Sequence, residues 1–330
     1  MVYLLTPTRA KIKEDVDTRA KILDEYLKGK YPVGFEVVLI GGPKGDLTSQ
    51  DTICKNLDKF FSNPDFYIAV HAPLEREDYA RKHTDLTTEQ GLETLAKVLQ
   101  LAQRINAKLV NVHSENFYLG KDLLQKNISS KEKRELQSRV KRSILQVKTF
   151  VGYDGIITLE NMPYPLMGDV KDVQCIEDVP YDPIINSAED ILYFSNALGI
   201  CIDTSHYGIT QRIFNEISGL PHHELKKRGI LGIPYEDIKP QPKLVELARK
   251  LGESLKHIHL SDFRGIWIPG KSFHEEGIVP GEGEYDLEIR ELIKFISNKE
   301  ISITLEVYDT NLKSTPETRK TIAYVLDILS

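Results

Sequence analysis

The sequence predicts an α/β protein that folds as a closed (β/α)8 TIM barrel, and three observations support this prediction. Eight short runs rich in Val, Ile and Leu recur along the 330 residues, and a helical pattern follows each run. Their spacing fits one strand and one helix per unit, with some long loops. Several runs are almost continuously apolar, which is typical of strands covered on both faces.

The predicted strands are, in chain order, Tyr3–Thr6, Gly34–Ile40, Phe66–His71, Lys108–His113, Gly155–Glu160, Gly199–Asp203, Leu255–Leu260 and Ile301–Val307. Strict alternation of strands and helices indicates a parallel sheet, either doubly wound or closed. Eight such units in a chain of this length favour a closed barrel, which is usually one domain. We therefore expect a single domain over residues 1–330.

Amphipathic spacing marks the helices between these strands. The apolar residues of Thr87–Arg104 fall on one helical face, and Lys131–Phe150 has the same spacing. Three sequences typical of capping boxes predict helix starts, namely Thr87-x-x-Gln90, Ser129-x-x-Glu132 and Ser187-x-x-Asp190. Thr315-Pro316 predicts a further start, because Pro is favoured at the first helical position.

Long loops are expected after the fifth, sixth and seventh strands. Residues 161–186 follow the fifth strand, and residues 207–239, which are rich in Pro, Gly and His, follow the sixth. These loops would cover the C-terminal rim of the barrel, where the active site of such a fold lies.

Composition narrows the class of protein. The chain has 43 Lys+Arg and 49 Asp+Glu, a formal net charge of −6, and 41% hydrophobic residues, which excludes disordered and collagen-like proteins. Its three cysteines form no CxxC pair, so no cysteine-based zinc cluster or disulfide framework is expected. No apolar run approaches the roughly 20 residues of a membrane span. We therefore expect a cytoplasmic protein without a membrane partner.

The residues that end the last six predicted strands are the decisive feature. Each of these strands finishes with an imidazole or a carboxylate, and the residues are His71, His113, Glu160, Asp203 with His206 just beyond it, His259 and Glu306. One such residue is often only a solvated strand end. Six in succession are hard to explain by packing, because burying uncompensated ionisable groups is costly. In a closed barrel these side chains would converge.

Converging imidazoles and carboxylates indicate a divalent metal site. Nitrogen and oxygen ligands suit Zn²⁺, with Mn²⁺ or Mg²⁺ as alternatives. The ligands are too many for one ion, and a carboxylate shared between two ions is the simplest arrangement. The sequence therefore predicts one to two divalent ions, with zinc preferred.

Several motifs in this order resemble the endonuclease IV (AP endonuclease family 2) branch of the xylose isomerase-like barrels. They are the strand-end residues together with Asp203-Thr-x-His206, His259-Leu-x-Asp262 and Pro280-Gly-x-Gly283, and they span nearly the whole chain. The resemblance implies one metal on His71, His113 and Glu160, and a second on Glu160, Asp203, His259 and Glu306, with His206 in a third site. It also implies catalytic roles for Glu160, Glu306 and His206, and a metal-bound hydroxide that attacks a phosphodiester, with abasic-site DNA as one candidate substrate.

The sequence departs from that family before the Gly-x-Gly loop. The family has an Asp-x-His pair that completes the third metal site, and the corresponding positions here are Glu275 and Gly277. His274 and Glu276 lie beside them and could substitute after a small shift. The third metal site is therefore incomplete in the sequence.

Two other functions stay open at this stage. A sugar isomerase or epimerase acting on a ketose would need one metal on Glu160, Asp203, His259 and Glu306, while His206 or a carboxylate moves the proton. A barrel that only binds a ligand is the third possibility. The acidic segment Ala72–Asp78 and the net negative charge argue against a DNA-groove binder. The substrate is thus either a small molecule or a nucleic-acid phosphodiester.

Overall fold

Eight parallel strands close into a barrel in the computed structural model, as the sequence predicted. The structure describes residues 1–27, 29–41, 45–74, 84–165, 175–268, 272 and 274–329. The barrel strands, here β1 to β8, are Val2–Thr8, Val33–Ile40, Tyr67–Leu74, Leu109–Val112, Ile156–Glu160, Gly199–Asp203, Leu255–Leu260 and Ile301–Leu305. Each strand pairs with its neighbours in chain order, and β1 pairs with β8 to close the ring.

Helices surround the barrel. Those of the described residues, α1 to α11, are Lys13–Leu27, Gln50–Phe61, Glu89–Arg104, Gly120–Gln125, Ser130–Val151, Ala188–Ser195, Thr204–Ile217, His222–Lys227, Leu244–Leu251, Asp286–Ile296 and Pro316–Leu329. Two predicted capping boxes are present, at Ser129 and Ser187. The third prediction was wrong by one residue, because Thr88 rather than Thr87 caps α3 and accepts a hydrogen bond from the Gly91 N–H.

The strand register brings the C-terminal strand ends to one level. Asp203 on β6 lies beside His259 on β7, which in turn lies beside Thr304 on β8. His113 and Glu306 come directly after the last residues of β4 and β8, one residue beyond the strands proper. Residues two apart on a strand share a face, so each site residue continues the inward face of its strand.

The segment after β6 is more regular than predicted. Residues 207–239 were expected to form a long loop, but Tyr207–Ile217 is the body of α7 and His222–Lys227 is α8. The reason is local, because Asp203 is the N-cap of α7 and its side chain accepts a hydrogen bond from the His206 N–H. Helix α7 therefore follows β6 directly, without an intervening loop.

Two short antiparallel ribbons lie in other connections. Tyr118–Leu119, in the connection after β4, pairs with Pro180–Tyr181 in the long segment after β5, of which residues 166–174 lie outside the described part. Asp262–Arg264 pairs with Glu275–Ile278 after β7. Of the acidic segment Ala72–Asp78 after β3, residues 75–78 lie outside the described part of the chain. The expectation that this segment does not bind a DNA groove therefore stays a prediction.

None of the helices in the described ranges combines the length and the apolar character that a bilayer crossing requires. The location of the protein in the cell stays a prediction.

Candidate metal centre

Glu160, the last residue of β5, lies at the centre of the converging side chains. One of its oxygens, Oε2, is 3.1 Å from His113 Nε2, 3.2 Å from His259 Nδ1 and 3.4 Å from His71 Nε2. The Glu160 side chain is 1% exposed. Three imidazoles from three different strands thus contact one buried carboxylate oxygen.

Asp203 and Glu306 complete the group on the side of β6 to β8. Ligand atoms of Glu160, Asp203, His259 and Glu306 all lie within 4.8 Å of one another, and so do those of His71, Glu160 and His259. His259 Nδ1 is also 2.6 Å from Glu306 Oε2. The barrel therefore brings together the strand-end residues that the sequence singled out.

His206 stands beside this group, in the first turn of α7. Its Nδ1 is 2.9 Å from the Asn161 carbonyl oxygen and 3.6 Å from Glu160 Oε1. Its Nε2 is 3.0 Å from Glu276 Oε2, and the other oxygen of Glu276 is 3.1 Å from His274 Nε2. His206, Glu276 and His274 thus form a cluster next to Glu160.

Glu276 and His274 are the side chains that lie next to His206, where the resemblance expects the Asp-x-His pair. The positions expected from the sequence, Glu275 and Gly277, do not supply side chains to His206. Glu275 is exposed, and Gly277 has φ +69° and leaves no room for a Cβ, which would lie within 3 Å of the Tyr308 ring. The ribbon strand Glu275–Ile278 alternates its side chains, so the residue between these two positions, Glu276, faces the site.

Neighbouring polar groups hold Asp203 in place. Its Oδ1 accepts hydrogen bonds from the His206 N–H at 2.7 Å and from Ser205 Oγ at 2.8 Å. The Asn161 amide bonds both the N–H and the carbonyl of Asp203. Asn161 therefore orients Asp203, one of the predicted ligands. Asp262 instead accepts backbone N–H groups of the Gly281–Tyr285 loop and stabilises that turn.

Burial and neighbouring charges shift the pKa values of the site residues. Burial opposes protonation of His113, but Glu160 and Glu115 outweigh it and raise the pKa of His113 to about 10. His206 behaves in the same way, because Asp203 and Glu276 outweigh burial and raise the pKa of His206 to about 10. Burial raises the pKa of Asp203 to about 7. The centre therefore needs cations, either protons on the imidazoles or metal ions.

The donor atoms that lack hydrogen bonds fit metal ions. Among the described residues, His113 Nε2, His259 Nδ1 and Glu306 Oε2 are buried and have no hydrogen-bond partner. All three belong to the converging group and lie close to Glu160 or to one another. Buried polar atoms are rarely left without partners, and imidazole nitrogens with carboxylate oxygens are ligands for divalent ions. The residues present therefore fit divalent metal binding.

Three contributors were missed from the sequence. Asn111 donates a hydrogen bond to Glu160 Oε2, Glu115 lies 3.1 Å from His113 Nδ1, and Glu36 lies 2.9 Å from His259 Nε2. Glu36 had a signal, since it is the one charged residue within the apolar run of β2. Asn111 also had one, because it lies two residues before His113 on an otherwise apolar strand.

His257 lies one layer deeper than His259 and is fully buried, with Nδ1 2.6 Å from Ser302 Oγ. Its full burial and this contact are those of a core histidine with a polar partner. Its Nε2 also lies 3.3 Å from Glu36 Oε1. The barrel interior below the site is therefore polar as well.

Comparison with known families identifies the superfamily. A family model described as xylose isomerase-like TIM barrel matches residues 33–328, so the chain belongs to this family, as its motifs predicted. A comparison with curated protein sequences found no match.

Solved structures share the fold across almost the whole chain. D-allulose 3-epimerase from Methylomonas sp., in complex with D-allulose, is 11% identical, with a TM-score of 0.57 and coverage of 98% of this chain and 96% of that one. Endonuclease IV from Thermus thermophilus is 14% identical, with a TM-score of 0.53 and coverage of 99% of both chains. A further protein of that organism, after soaking with ZnCl₂, is 15% identical, with a TM-score of 0.52 and coverage of 99% and 97%. The activities named for the first two of these proteins are enzymatic.

Proposed function

Within this family, we propose that the chain is a divalent-metal-dependent hydrolase of phosphodiesters, with two ions on either side of Glu160. The observation that carries the proposal is the presence of His71 and His113 at 3.4 and 3.1 Å from Glu160 Oε2. Glu160, Asp203, His259 and Glu306 already form a complete ligand set for one ion. His71 and His113 supply two further imidazoles beside Glu160, and together with it they would hold a second ion.

Two divalent ions in this centre would supply a water nucleophile of lowered pKa and neutralise charge on the transferring phosphoryl group. Zinc is the preferred ion because imidazole contributes so many of the ligands. Glu160 would be shared by the two ions, and His71 and His113 would hold one of them together with it. Asp203, His259 and Glu306 would hold the other.

The exposed fractions of the side chains around the candidate metal centre indicate the face from which substrate would enter. The side chain of Glu306 is 31% exposed, whereas that of Glu160 is 1% exposed. His206 and Glu276 are also less buried than Glu160, at 12% and 14%. Substrate would therefore approach over Glu306 and His206, and His206 can hydrogen-bond or transfer a proton at that face.

The net negative charge of the chain does not exclude a phosphodiester substrate at the candidate metal centre. The formal net charge of −6 includes Glu160, Asp203 and Glu306, whose charge bound cations would neutralise. A phosphodiester is therefore compatible with the site. DNA with an abasic site is the specific candidate that the endonuclease IV resemblance implies.

A sugar epimerase is the second candidate, and one observation favours it. The ligand atoms of Glu160, Asp203, His259 and Glu306 lie within 4.8 Å of one another without His71 or His113. One ion held there could polarise a carbonyl and its neighbouring hydroxyl, while His206 or a carboxylate moves the proton.

One experiment separates the two candidates. Metal content and turnover are measured for the wild type, His71→Ala and the control His223→Ala, whose side chain on α8 is 70% exposed. The substrates are abasic duplex DNA, bis(p-nitrophenyl) phosphate and common ketoses. For a hydrolase, His71→Ala should lose one ion and at least about 100-fold in phosphodiester cleavage, beyond the usual effect of losing a supporting residue. Ketose turnover with one ion, unaffected by His71→Ala, would identify an epimerase instead.

A further inference from the structure

Two histidines of the candidate metal centre each contact a buried carboxylate through the ring nitrogen that faces away from Glu160. His259 turns Nδ1 toward Glu160 and Glu306, while its Nε2 lies 2.9 Å from Glu36 Oε2. His113 has the opposite arrangement, because its Nε2 faces Glu160 at 3.1 Å and its Nδ1 lies 3.1 Å from Glu115 Oε1. Glu36 and Glu115 therefore lie behind the histidines, on the side away from the shared ligand space.

Glu36 is held inside the barrel by two imidazoles. It is 1% exposed on β2, and its two oxygens face His259 and His257. His257 is anchored in turn, because its Nδ1 lies 2.6 Å from Ser302 Oγ. A carboxylate buried this deeply is costly unless its charge is paired. An apolar residue would be easier to bury at this position, so packing alone does not explain Glu36.

Glu115 reaches His113 from an uncommon backbone conformation. It follows β4, is 4% exposed and has φ +53°, in the left-handed region that residues with side chains rarely adopt. Its carboxylate contacts His113 with one oxygen and accepts a hydrogen bond from Thr84 Oγ1 with the other at 3.2 Å. Backbone strain that presents a buried charge to a ligand histidine indicates a role at the site.

We propose that Glu36 and Glu115 are positioning residues that select the metal-binding nitrogen of His259 and of His113. A neutral imidazole carries one N–H and one lone pair, and the hydrogen bond made by the N–H decides which nitrogen is free. Glu36 accepts the Nε2–H of His259 and leaves Nδ1 for one ion. Glu115 accepts the Nδ1–H of His113 and leaves Nε2 for the other. The proposal rests on the metal centre proposed above, and it does not depend on which reaction is catalysed.

The test compares four variants of the zinc-loaded full chain, namely Glu36→Gln, Glu36→Met, Glu115→Gln and Glu115→Met. Gln keeps an oxygen that accepts the N–H, whereas Met of similar size does not. We expect zinc affinity, measured by competition with a chelator, to fall about 10-fold to 100-fold in the Met variants and less in the Gln variants. In a His71→Ala background, which retains only the second ion, Glu36→Met should still weaken zinc binding, whereas Glu115→Met should have no further effect.

Nitrogen-15 shifts of the imidazoles provide a signature that a merely structural role would not change. They distinguish a metal-bound nitrogen from a protonated one, and we expect His259 bound through Nδ1 and His113 through Nε2. Glu36→Met should give a mixed pattern at His259 alone, and Glu115→Met at His113 alone. The matched control is Asp190→Asn, which changes a 1% exposed carboxylate that pairs with Lys133 at 2.9 Å, away from the centre. It should lower the melting temperature but leave zinc affinity and the shifts unchanged.

Wild-type zinc affinity and wild-type nitrogen shifts in both Met variants would overturn the proposal. If a Met variant does not fold, the corresponding Ala variant decides, since it also lacks an acceptor for the N–H, and a wild-type shift pattern together with wild-type affinity in it would contradict the proposed role. Failure of the hydrolase function would look different. It would appear as two zinc ions and the expected nitrogen shifts in a chain that cleaves no phosphodiester.

Discussion

The two ends of the barrel differ in whether histidines and carboxylates converge there. The N-terminal end opens into a cavity of about 1390 Å³ whose lining includes Tyr3, Phe66 and Tyr67, with the rings of Tyr3 and Tyr67 4.7 Å apart. The C-terminal end holds the histidines and carboxylates around Glu160. Among the described residues, no group of three clustered His, Cys, Asp or Glu ligand atoms lies at the N-terminal end. Converging ionisable side chains, and not cavity size, therefore make the C-terminal end the candidate functional end.

A single strand shows how the sequence builds this difference. Along the inward face of β3 the residues are Tyr67, then Ala69, then His71, and Tyr67 and Ala69 belong to the small apolar cluster inside the barrel. Successive inward residues are two positions apart, so one strand carries an aromatic ring at its start and a candidate ligand at its end. Repeating this change on several strands concentrates the candidate ligands at the C-terminal end of the barrel.

The largest expected effect comes from removing the residue shared by both candidate ions. Glu160→Ala should abolish binding of both ions and lower phosphodiester cleavage at least about 1000-fold, since both ions contribute to the same displacement. Metal analysis and turnover of bis(p-nitrophenyl) phosphate measure this. The control is Glu275→Ala, which removes an exposed carboxylate of the nearby ribbon. Retention of both ions by Glu160→Ala would contradict the bridging role.

Metal binding at the C-terminal end should depend strongly on pH. Below about pH 10 the metal-free protein holds a proton on His113, because Glu160 and Glu115 raise the pKa of His113 to about 10 against the effect of burial. Zinc must displace this proton, so zinc affinity should rise with pH. Between pH 6 and 8 we expect about a tenfold gain per pH unit for each proton released.

Calorimetry of zinc binding in buffers of different ionisation enthalpy counts the protons released. His113→Ala should release at least one proton fewer than the wild type. Zinc binding that releases no protons in the wild type would contradict the electrostatic account of the centre.

The sequence was sufficient to predict the barrel and the residues that its strand ends bring together. This worked because apolar strands are easy to recognise and because a closed barrel places strand ends side by side. Glu36 could also have been found, since it interrupts an apolar strand. Glu115 could not, because its contact with His113 depends on a left-handed turn beyond β4 that the residue type does not indicate.

The other differences arose from local structure. The segment 207–239 was expected as a loop because of its Pro and Gly content, but Asp203 starts α7 at the strand end. The pairing of Glu276 with His206 depends on the register of the ribbon after β7, which sequence spacing alone does not determine.

A smaller effect is expected for stability at the rim beside the metal centre. Burial raises the pKa of Asp182 to about 7, although Ser114 Oγ donates a hydrogen bond to it. A raised carboxyl pKa means that the folded state binds the proton more tightly than the unfolded state. The free energy of unfolding should therefore fall as pH rises from about 4 to about 7. Asp182→Asn should remove part of this fall, by an amount on the order of 1 kcal/mol or more, as measured by urea denaturation at pH 5 and pH 7.5. Equal pH slopes for the variant and the wild type would rule out this role of Asp182.

The smallest effect on function should come from the N-terminal end. Tyr3→Leu removes the ring that packs on Tyr67 and should lower the free energy of unfolding by about 1 kcal/mol. Metal content and turnover should equal those of the wild type. A loss of bound metal in this variant would show that the two ends of the barrel are coupled, which contradicts their independence.

The central claim is a two-ion centre bridged by Glu160, and anomalous X-ray scattering at the zinc edge tests it most directly. Crystals grown with zinc should give two peaks about 3.5–4 Å apart, one beside His71 and His113 and the other beside Asp203, His259 and Glu306. A single peak beside Asp203, His259 and Glu306, with none near His71 and His113, would contradict it.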